Sequence, residues 1–262
     1  MPRVEPSPAP PDLRFYAEAA REAVSAIRDR ECTFVSGSLI EGLGNAASDL
    51  DVYVITDSRE TPPAAMTFRW GSSTVMIDYV GDLRTDVELW PRATVLACAA
   101  AIGACAPGDI AAAAGIEDRE LQLAHRLRVG VAVEGAEILA ELQAKFDWAH
   151  LSRVICNRFL ADYNGWAEDA SGAVRDGDPG TAMLASRLAL GCAVDAHLAA
   201  SGDTNSKAKW RFKKLQALGD DDLARNYLEL EADTSTEPAA LLAQARSRLR
   251  YAVGLTSKAA SA

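Results

Sequence analysis

The 262-residue sequence has no cysteine framework: Cys32, Cys98, Cys105, Cys156 and Cys192 are odd in number, widely scattered, and form no CxxC or Cys/His ligand spacing. That argues against a disulfide-stapled or zinc-ribbon fold and leaves reduced thiols as the expectation. Positive charge is also scarce. Lys and Arg total 27 against 37 Asp and Glu, a net charge of -10, so no surplus is available to neutralise a nucleic-acid backbone. The three histidines, His125, His150 and His197, are too far apart to suggest a ligand pair. The apolar segment "RATVLACAAAIGACAPGDIAAAAG" is alanine-dominated and broken by Gly103, Pro107 and Gly108, which argues against a membrane span there. The opening "MPRVEPSPAPPD" lacks a basic stretch followed by an apolar core and does not read as a signal peptide. It reads as a Pro-rich disordered arm over residues 1–11, and a cytoplasmic protein is the expectation.

What the sequence does have is an ordinary globular balance, 49% hydrophobic and 24% charged, in two textures that meet near residue 90. Before that point an amphipathic segment, "DLRFYAEAAREAVSAIRD", reads as a helix with Asp12 as its cap. Four β-rich runs follow: "CTFVSG", "DLDVYVIT", "AMTFRW" and "STVMIDYV". The last two flank "GSS", a hairpin signal. After Trp90-Pro91 the pattern is helical, from "DRELQLAHRLRVGVAVEGAEILAELQAKF" to "EPAALLAQARSRLRYAVGL", with glycines and prolines as punctuation. The expected fold class is therefore α+β: a small mixed-sheet αβ domain over 12–92, then a helical bundle over 93–262.

The stretch "FVSGSLIEGLGNAASDLDVYVITD" carries the chemistry. Side chains alternate along a strand, so Asp49 and Asp51 share one face while Leu50 and Val52 point to the other. Two neighbouring carboxylates on an apolar strand repel each other and call for a cation. A hard divalent ion such as Mg²⁺ takes carboxylate and phosphate oxygens. Gly37-Ser38 ends the preceding strand in what reads as a strand-to-helix turn, where backbone N–H groups and a hydroxyl can meet phosphate oxygens. Asp78, in the apolar run "TVMIDYV", is the expected third carboxylate, as metal ligand or as base. Asp82, Asp86 and Glu88 follow it in what reads as a loop and are the other candidates for the base.

The pattern Gly37-Ser38, Asp49-Leu50-Asp51 and a later strand carboxylate resembles the nucleotidyltransferase superfamily of the DNA polymerase β type. Its spacing is similar to that of aminoglycoside and other minimal nucleotidyltransferases. The resemblance covers residues 12 to about 90. It implies a short mixed sheet with a C-terminal helical bundle, Gly37 and Ser38 on a triphosphate, Mg²⁺ on Asp49 and Asp51, and Asp78 as third ligand or base. The implied reaction moves a nucleoside monophosphate, most simply AMP from ATP, to a hydroxyl of a small-molecule acceptor such as an aminoglycoside or specialised metabolite. AMPylation of a protein partner and a non-catalytic nucleotide-binding module are the alternatives.

In the helical half, "KAKWRFKKL" is similar to a Lys-Trp motif of several bacterial nucleotidyltransferases. Lys209 and Lys213 are four apart on one helix face and could reach a triphosphate, or form a solvated basic face anchored by Trp210. Arg119 and His125 in "RELQLAH" read as surface charge, and Tyr163 and Trp166, with Asp162 and Glu168, read either as the lining of a substrate cleft or, for the aromatics, as core packing. A monomer or homodimer without membrane or nucleic-acid partners is the expectation.

Overall fold

The computed structural model describes residues 13–58, 60–106, 108–232 and 235–261. The expected arm over 1–11 and the expected cap Asp12 lie outside the described residues. The chain divides into two compact units, Met1–Ala100 with Leu123–Phe146, and Ala101–Gln122 with Asp147–Ala262.

The first unit is built on a six-stranded mixed sheet. In chain order it contains α1 (Leu13–Ala23), β1 (Arg30–Ser36), β2 (Leu50–Thr56), β3 (Met66–Trp70), β4 (Ser73–Val80) and β5 (Leu83–Trp90), then β6 (Val131–Glu134) and α5 (Ala136–Gln143). The strand order is β3-β4-β5-β2-β1-β6. Tight turns set the two hairpins: Trp70 pairs Ser73 across Gly71-Ser72, and Val80 pairs Leu83 across Gly81-Asp82. Gly71 and Gly81 have φ of 62° and 59°, the left-handed backbone that two-residue hairpin turns require. The pairing of β2 with β5 is parallel, whereas those of β1 with β2, β1 with β6, β3 with β4 and β4 with β5 are antiparallel.

One face of the sheet buries an aliphatic layer, Val35, Leu50, Val52, Val54, Met76, Val87 and Leu89, against Ala19, Ala20, Val24 and Ile27. That is the period-2 apolar set of each strand meeting the apolar stripe of α1. On the other face Phe34 stacks on Tyr53 with ring centroids 5.1 Å apart.

The segment read as helical in pattern, 118–146, is instead a helix, a strand and a second helix. α4 (Asp118–Val129) ends at Gly130, β6 adds to the free edge of β1, and α5 starts after Gly135. Two glycines around "VAVE" break the helical period, and a β-branched pair is free to extend. A Cβ on Gly130 would lie 2.6 Å from the Phe34 ring, and one on Gly135 would lie 2.3 Å from the Glu31 carbonyl oxygen. The expected boundary at residue 92 therefore moves: residues 123–146 belong with the sheet.

The second unit is helical. α2 (Arg92–Ala104), α3 (Ile110–Gly115) and α4 lead into it, followed by α6 (Trp148–Asp176), α7 (Pro179–Ala200), α8 (Arg211–Ala217), α9 (Asp221–Ala232) and α10 (Pro238–Ala260). Asp147 and Asp178 cap α6 and α7 by accepting from His150 and Thr181 backbone N–H groups. α7 is long and apolar enough to cross a membrane by composition, yet 72% of its apolar window is buried inside the protein. Its small residues Ala189, Ala193 and Val194 pack with Tyr163, Leu215 and Leu255. Of the two aromatics with alternative readings, Tyr163 is core, while Trp166 is exposed.

Gly135→Ala is expected to cost about 1–3 kcal/mol, since it adds a clash to a backbone of φ 67°. Each kcal/mol should lower Tm by about 2–4 °C for a chain of this size. Gly103→Ala, in α2 with open space around it, should be neutral or stabilising in the same thermal melts.

Candidate active site

The parallel register of β2 on β5 places Asp51 beside Asp86. The antiparallel register of β4 on β5 places Asp86 beside Ile77 and Thr85 beside Asp78. Neighbouring paired residues share a face, so Asp51 and Asp86 stand side by side at the same end of their strands. Asp49, just before β2, completes the group: its carboxyl and that of Asp86 are close enough to share a hydrogen bond.

Asp78 is not part of it. It belongs to the row of Thr85 and Leu50, which faces α1, and its Oδ1 accepts from the Tyr79 backbone N–H at 2.9 Å. The third carboxylate on the Asp49/Asp51 face is Asp86, in a strand rather than a loop. The signal was in the sequence: "LRTDVELW" alternates apolar and polar residues, with Asp86 and Glu88 on the polar side.

Gly37 fixes Asp51. Its φ is 87°, and a Cβ there would fall 1.8 Å from the Asp51 Oδ2. Only glycine lets the end of β1 lie directly against that carboxylate. Ser38 is buried and opens a series of turns, not a helix. The N–H groups of Ile40 and Glu41 donate to the Gly37 carbonyl at 3.0 Å, and those of Leu43 and Gly44 to the Ser38 carbonyl at 2.9 and 2.7 Å.

Two arginines lie against the carboxylates. Arg84 donates to both Asp86 oxygens at 2.9 Å and lies 3.9 Å from Asp49. Arg126 Nη2 lies 3.7 Å from Asp51 Oδ2, and its Nη1 donates to Glu41 at 3.1 Å. The other Glu41 oxygen meets His125 Nε2 at 3.1 Å. Ser36, the register partner of Asp51, donates its hydroxyl to the Arg126 carbonyl at 3.0 Å, latching the end of α4 to the end of β1. Arg119 and His125, read from sequence as surface charge, are both buried. Nothing in α4 alone marks Arg126 as part of this group, because its partners are Glu41 and Asp51, far away in sequence.

The electrostatics are those of an under-neutralised acidic site. Burial pushes the Asp51 carboxyl up to about 7. Arg126 opposes that shift, and Asp49, Glu88 and Asp86 add to it. Burial also raises Asp86 above the usual carboxylate range, against its bond to Arg84 and with help from Asp49. For Arg126, burial works against the charge, but Tyr53, Asp51 and Glu41 outweigh it and raise its pKa. Among the described residues, no three His, Cys, Asp or Glu side chains are gathered tightly enough to hold a metal as they stand; the carboxylates lie against arginines instead. The donor set is nevertheless all hard oxygen, on one face, and it penalises its own ionisation. That chemistry fits a hard divalent cation.

Lys209 and Lys213 lie in the second unit. Their Nζ atoms sit 4.9 and 5.2 Å from the centroid of the Trp210 ring, one pair of cations on one indole. The neighbouring Arg211 donates to the buried Asp195 at 2.8 and 2.6 Å, which anchors this turn to α7.

No protein-family model and no curated protein matches the chain. Among solved structures it is similar to a nucleotidyltransferase-like protein from Exiguobacterium sibiricum 255-15. The TM-score is 0.48 and the identity 15%, over 93% of this chain and 77% of that one. The functional reading rests on the residues of this chain.

The raised Asp51 carboxyl gives a signed pH dependence. An unfolded aspartate titrates near 4, so between about 4 and 7 the folded state holds a proton that the unfolded state has lost. Stability from this group falls as pH rises through that window and is level above it. Asp51→Asn carries no such dependence. Without divalent ions the variant should melt several degrees above wild type at pH 8, and the difference should shrink toward pH 5. A constant difference across that range would contradict the assignment.

Proposed function

We propose that the protein is a Mg²⁺-dependent nucleotidyltransferase that moves a nucleoside monophosphate, most simply AMP from ATP, to a hydroxyl of a small-molecule acceptor and releases pyrophosphate. The observation that carries this reading is the seat of Asp51: glycine backbone of φ 87° against its carboxylate, and Asp86 beside it in the parallel register. Asp49, Asp51 and Asp86 are the residues that would hold Mg²⁺. A divalent ion bound there would supply charge neutralisation for the phosphates as the transferred group changes partners.

The rest is work for the chain's own residues. Gly37 lets the backbone lie close against Asp51, and the Ser38 hydroxyl and the turn's backbone N–H groups would donate to a phosphate there. Arg126, beside Asp51 at the end of β1, adds positive charge where pyrophosphate charge develops, and Arg84 holds Asp86. The acceptor hydroxyl oxygen attacks the α-phosphorus, its proton passes to a carboxylate, and the bond from the α-phosphorus to pyrophosphate oxygen breaks. Asp86, named from the sequence as an alternative to Asp78, takes the role of base. Its raised pKa brings it nearer to working pH, which favours proton acceptance in the transition state. Positioning and charge neutralisation do most of the work. An aminoglycoside or a specialised metabolite fits the acceptor role in general terms, and a protein hydroxyl would undergo the same chemistry.

One observation favours a second reading. Arg84 and Arg126 already compensate part of the carboxylate charge, as a module that binds nucleotide without turning it over would require. Thermal melts with each nucleoside triphosphate, with and without Mg²⁺, separate the two when paired with pyrophosphate release. The enzyme reading expects a Mg²⁺-dependent rise in Tm with a nucleotide, abolished in Asp51→Asn. It also expects turnover that falls about 10²–10⁴-fold in Asp86→Asn and changes little in Asp78→Asn. Equal losses in the two variants would remove Asp86 from the base role. Stabilisation by nucleotide with no turnover for any acceptor would favour the binding module.

A further inference from the structure

The carboxylate face of the sheet does not end at Asp86. The register carries it across two more strands: Asp86 pairs Ile77, which pairs Met66; Glu88 pairs Val75, which pairs Phe68. One further row outward, Arg84 pairs Tyr79; at the other end Ser73 pairs Trp70. On this face β3 and β4 therefore present Met66, Phe68, Trp70, Val75, Ile77 and Tyr79, with one serine and no charged side chain. Met66 is 56% exposed, Phe68 39%, Trp70 50% and Tyr79 59%. These are the exposed large hydrophobic residues of the described strands, and all four lie on the carboxylate face. An apolar shelf of this kind beside a polar cluster marks a place where a ligand sits.

Its position selects which ligand. The glycine-serine turn lies at the end of β1, on one flank of Asp51, while Asp86 and the shelf lie on the other. Displacement at phosphorus places the attacking and leaving oxygens roughly in line. If pyrophosphate leaves toward Gly37-Ser38, the acceptor enters over Asp86 and β4. Two strand spacings, about 10 Å, separate Asp86 from Met66, room for one or two fused rings. Beyond Asp86 and Glu88 on β5, β3 and β4 supply no further carboxylate on this face to pair the several charges of a polycationic acceptor.

We propose that the acceptor is an uncharged alcohol or phenol with a flat apolar body, which lies over Met66, Phe68 and Tyr79 and directs its hydroxyl to Asp86. This rests on the nucleotidyltransferase reading above. The step itself is unchanged: the hydroxyl oxygen bonds the α-phosphorus, its proton goes to Asp86, and pyrophosphate departs.

The test uses the full chain with its methionine methyl groups labelled with ¹³C. Only four methionines are present, Met1, Met66, Met76 and Met183, and Met66→Leu assigns the signal. With Mg²⁺ and a non-hydrolysable ATP analogue bound, 2-phenylethanol, 2-(2-naphthyl)ethanol and tryptophol are titrated against kanamycin as the polycation. The aryl alcohols should shift the Met66 methyl saturably and raise pyrophosphate release from ATP. Phe68→Ser should weaken both effects at least tenfold while leaving the nucleotide-induced rise in Tm intact. The proposal is overturned if kanamycin moves the Met66 signal and the alcohols do not, or if none of them moves it. It is equally overturned if the nucleotide analogue alone produces the shift, which would make the shelf a nucleobase site. A shift that follows protein concentration, with a dimer in sedimentation, would assign the shelf to a second copy. If no nucleotide stabilises the protein with Mg²⁺, the nucleotidyltransferase reading itself fails, and that outcome is read separately from the methyl signal.

Discussion

The parallel pairing of β2 with β5 is the constraint on which the sheet unit depends. Parallel neighbours start at the same end, so residues early in both strands meet, and Asp51 falls beside Asp86. Antiparallel pairing in the same place would have sent the start of β5 to the far end of β2. The β3–β4 hairpin provides the excursion that lets the chain return in the same direction, and two short glycine turns fix its length. Everything else on that face inherits its place from this register: the arginine on Asp86, the tyrosine–glutamate contact behind the carboxylates, and the apolar rows farther out.

The chain treats its buried carboxylates in two ways. In the helical unit Asp195 is closed off by Arg211 at 2.6 and 2.8 Å, and Gly191 makes room for the guanidinium, since a Cβ there would fall 2.5 Å from Arg211 Nη1. Both contacts go to one Asp195 oxygen, and rupture of this ion pair would strand a buried charge. In the sheet unit Asp51 is given an arginine only at 3.7 Å and is surrounded by three further carboxylates whose fields add to its burial. The contrast separates a carboxylate hydrogen-bonded directly to its arginine from one whose arginine stands 3.7 Å away.

Much of this was legible in the sequence, and the rest was hidden for definite reasons. Strand periodicity puts Asp49 and Asp51 on one face, and the glycine-serine end of β1 is visible as a break in an apolar run. Period two within a strand does not say which face of its neighbour it meets, however. Asp78 and Asp86 both sit on strands and both lack an apolar reason to be there; only the hairpin at Gly81-Asp82 decides between them. The alternation of "LRTDVELW" marked a strand that was passed over because its polar half resembles a loop. β6 was masked by helical texture on both sides, although the glycines around "VAVE" were the mark of its ends. Arg126 could not be found from local pattern at all, since its role is defined by residues from two distant segments.

The sixth strand ties the order of synthesis to the order of folding. β1 is made early, but its outer edge is paired by β6, which leaves the ribosome only after α2, α3 and α4 have been made. Until then the nascent sheet carries an open row of backbone donors and acceptors, the kind of edge that recruits other chains. The latch from Ser36 to the Arg126 carbonyl closes in the same interval. Asp51 therefore acquires Arg126 only when the sheet acquires its last strand, so that a chain interrupted before residue 123 would have Arg84 on Asp86 but no arginine against Asp51.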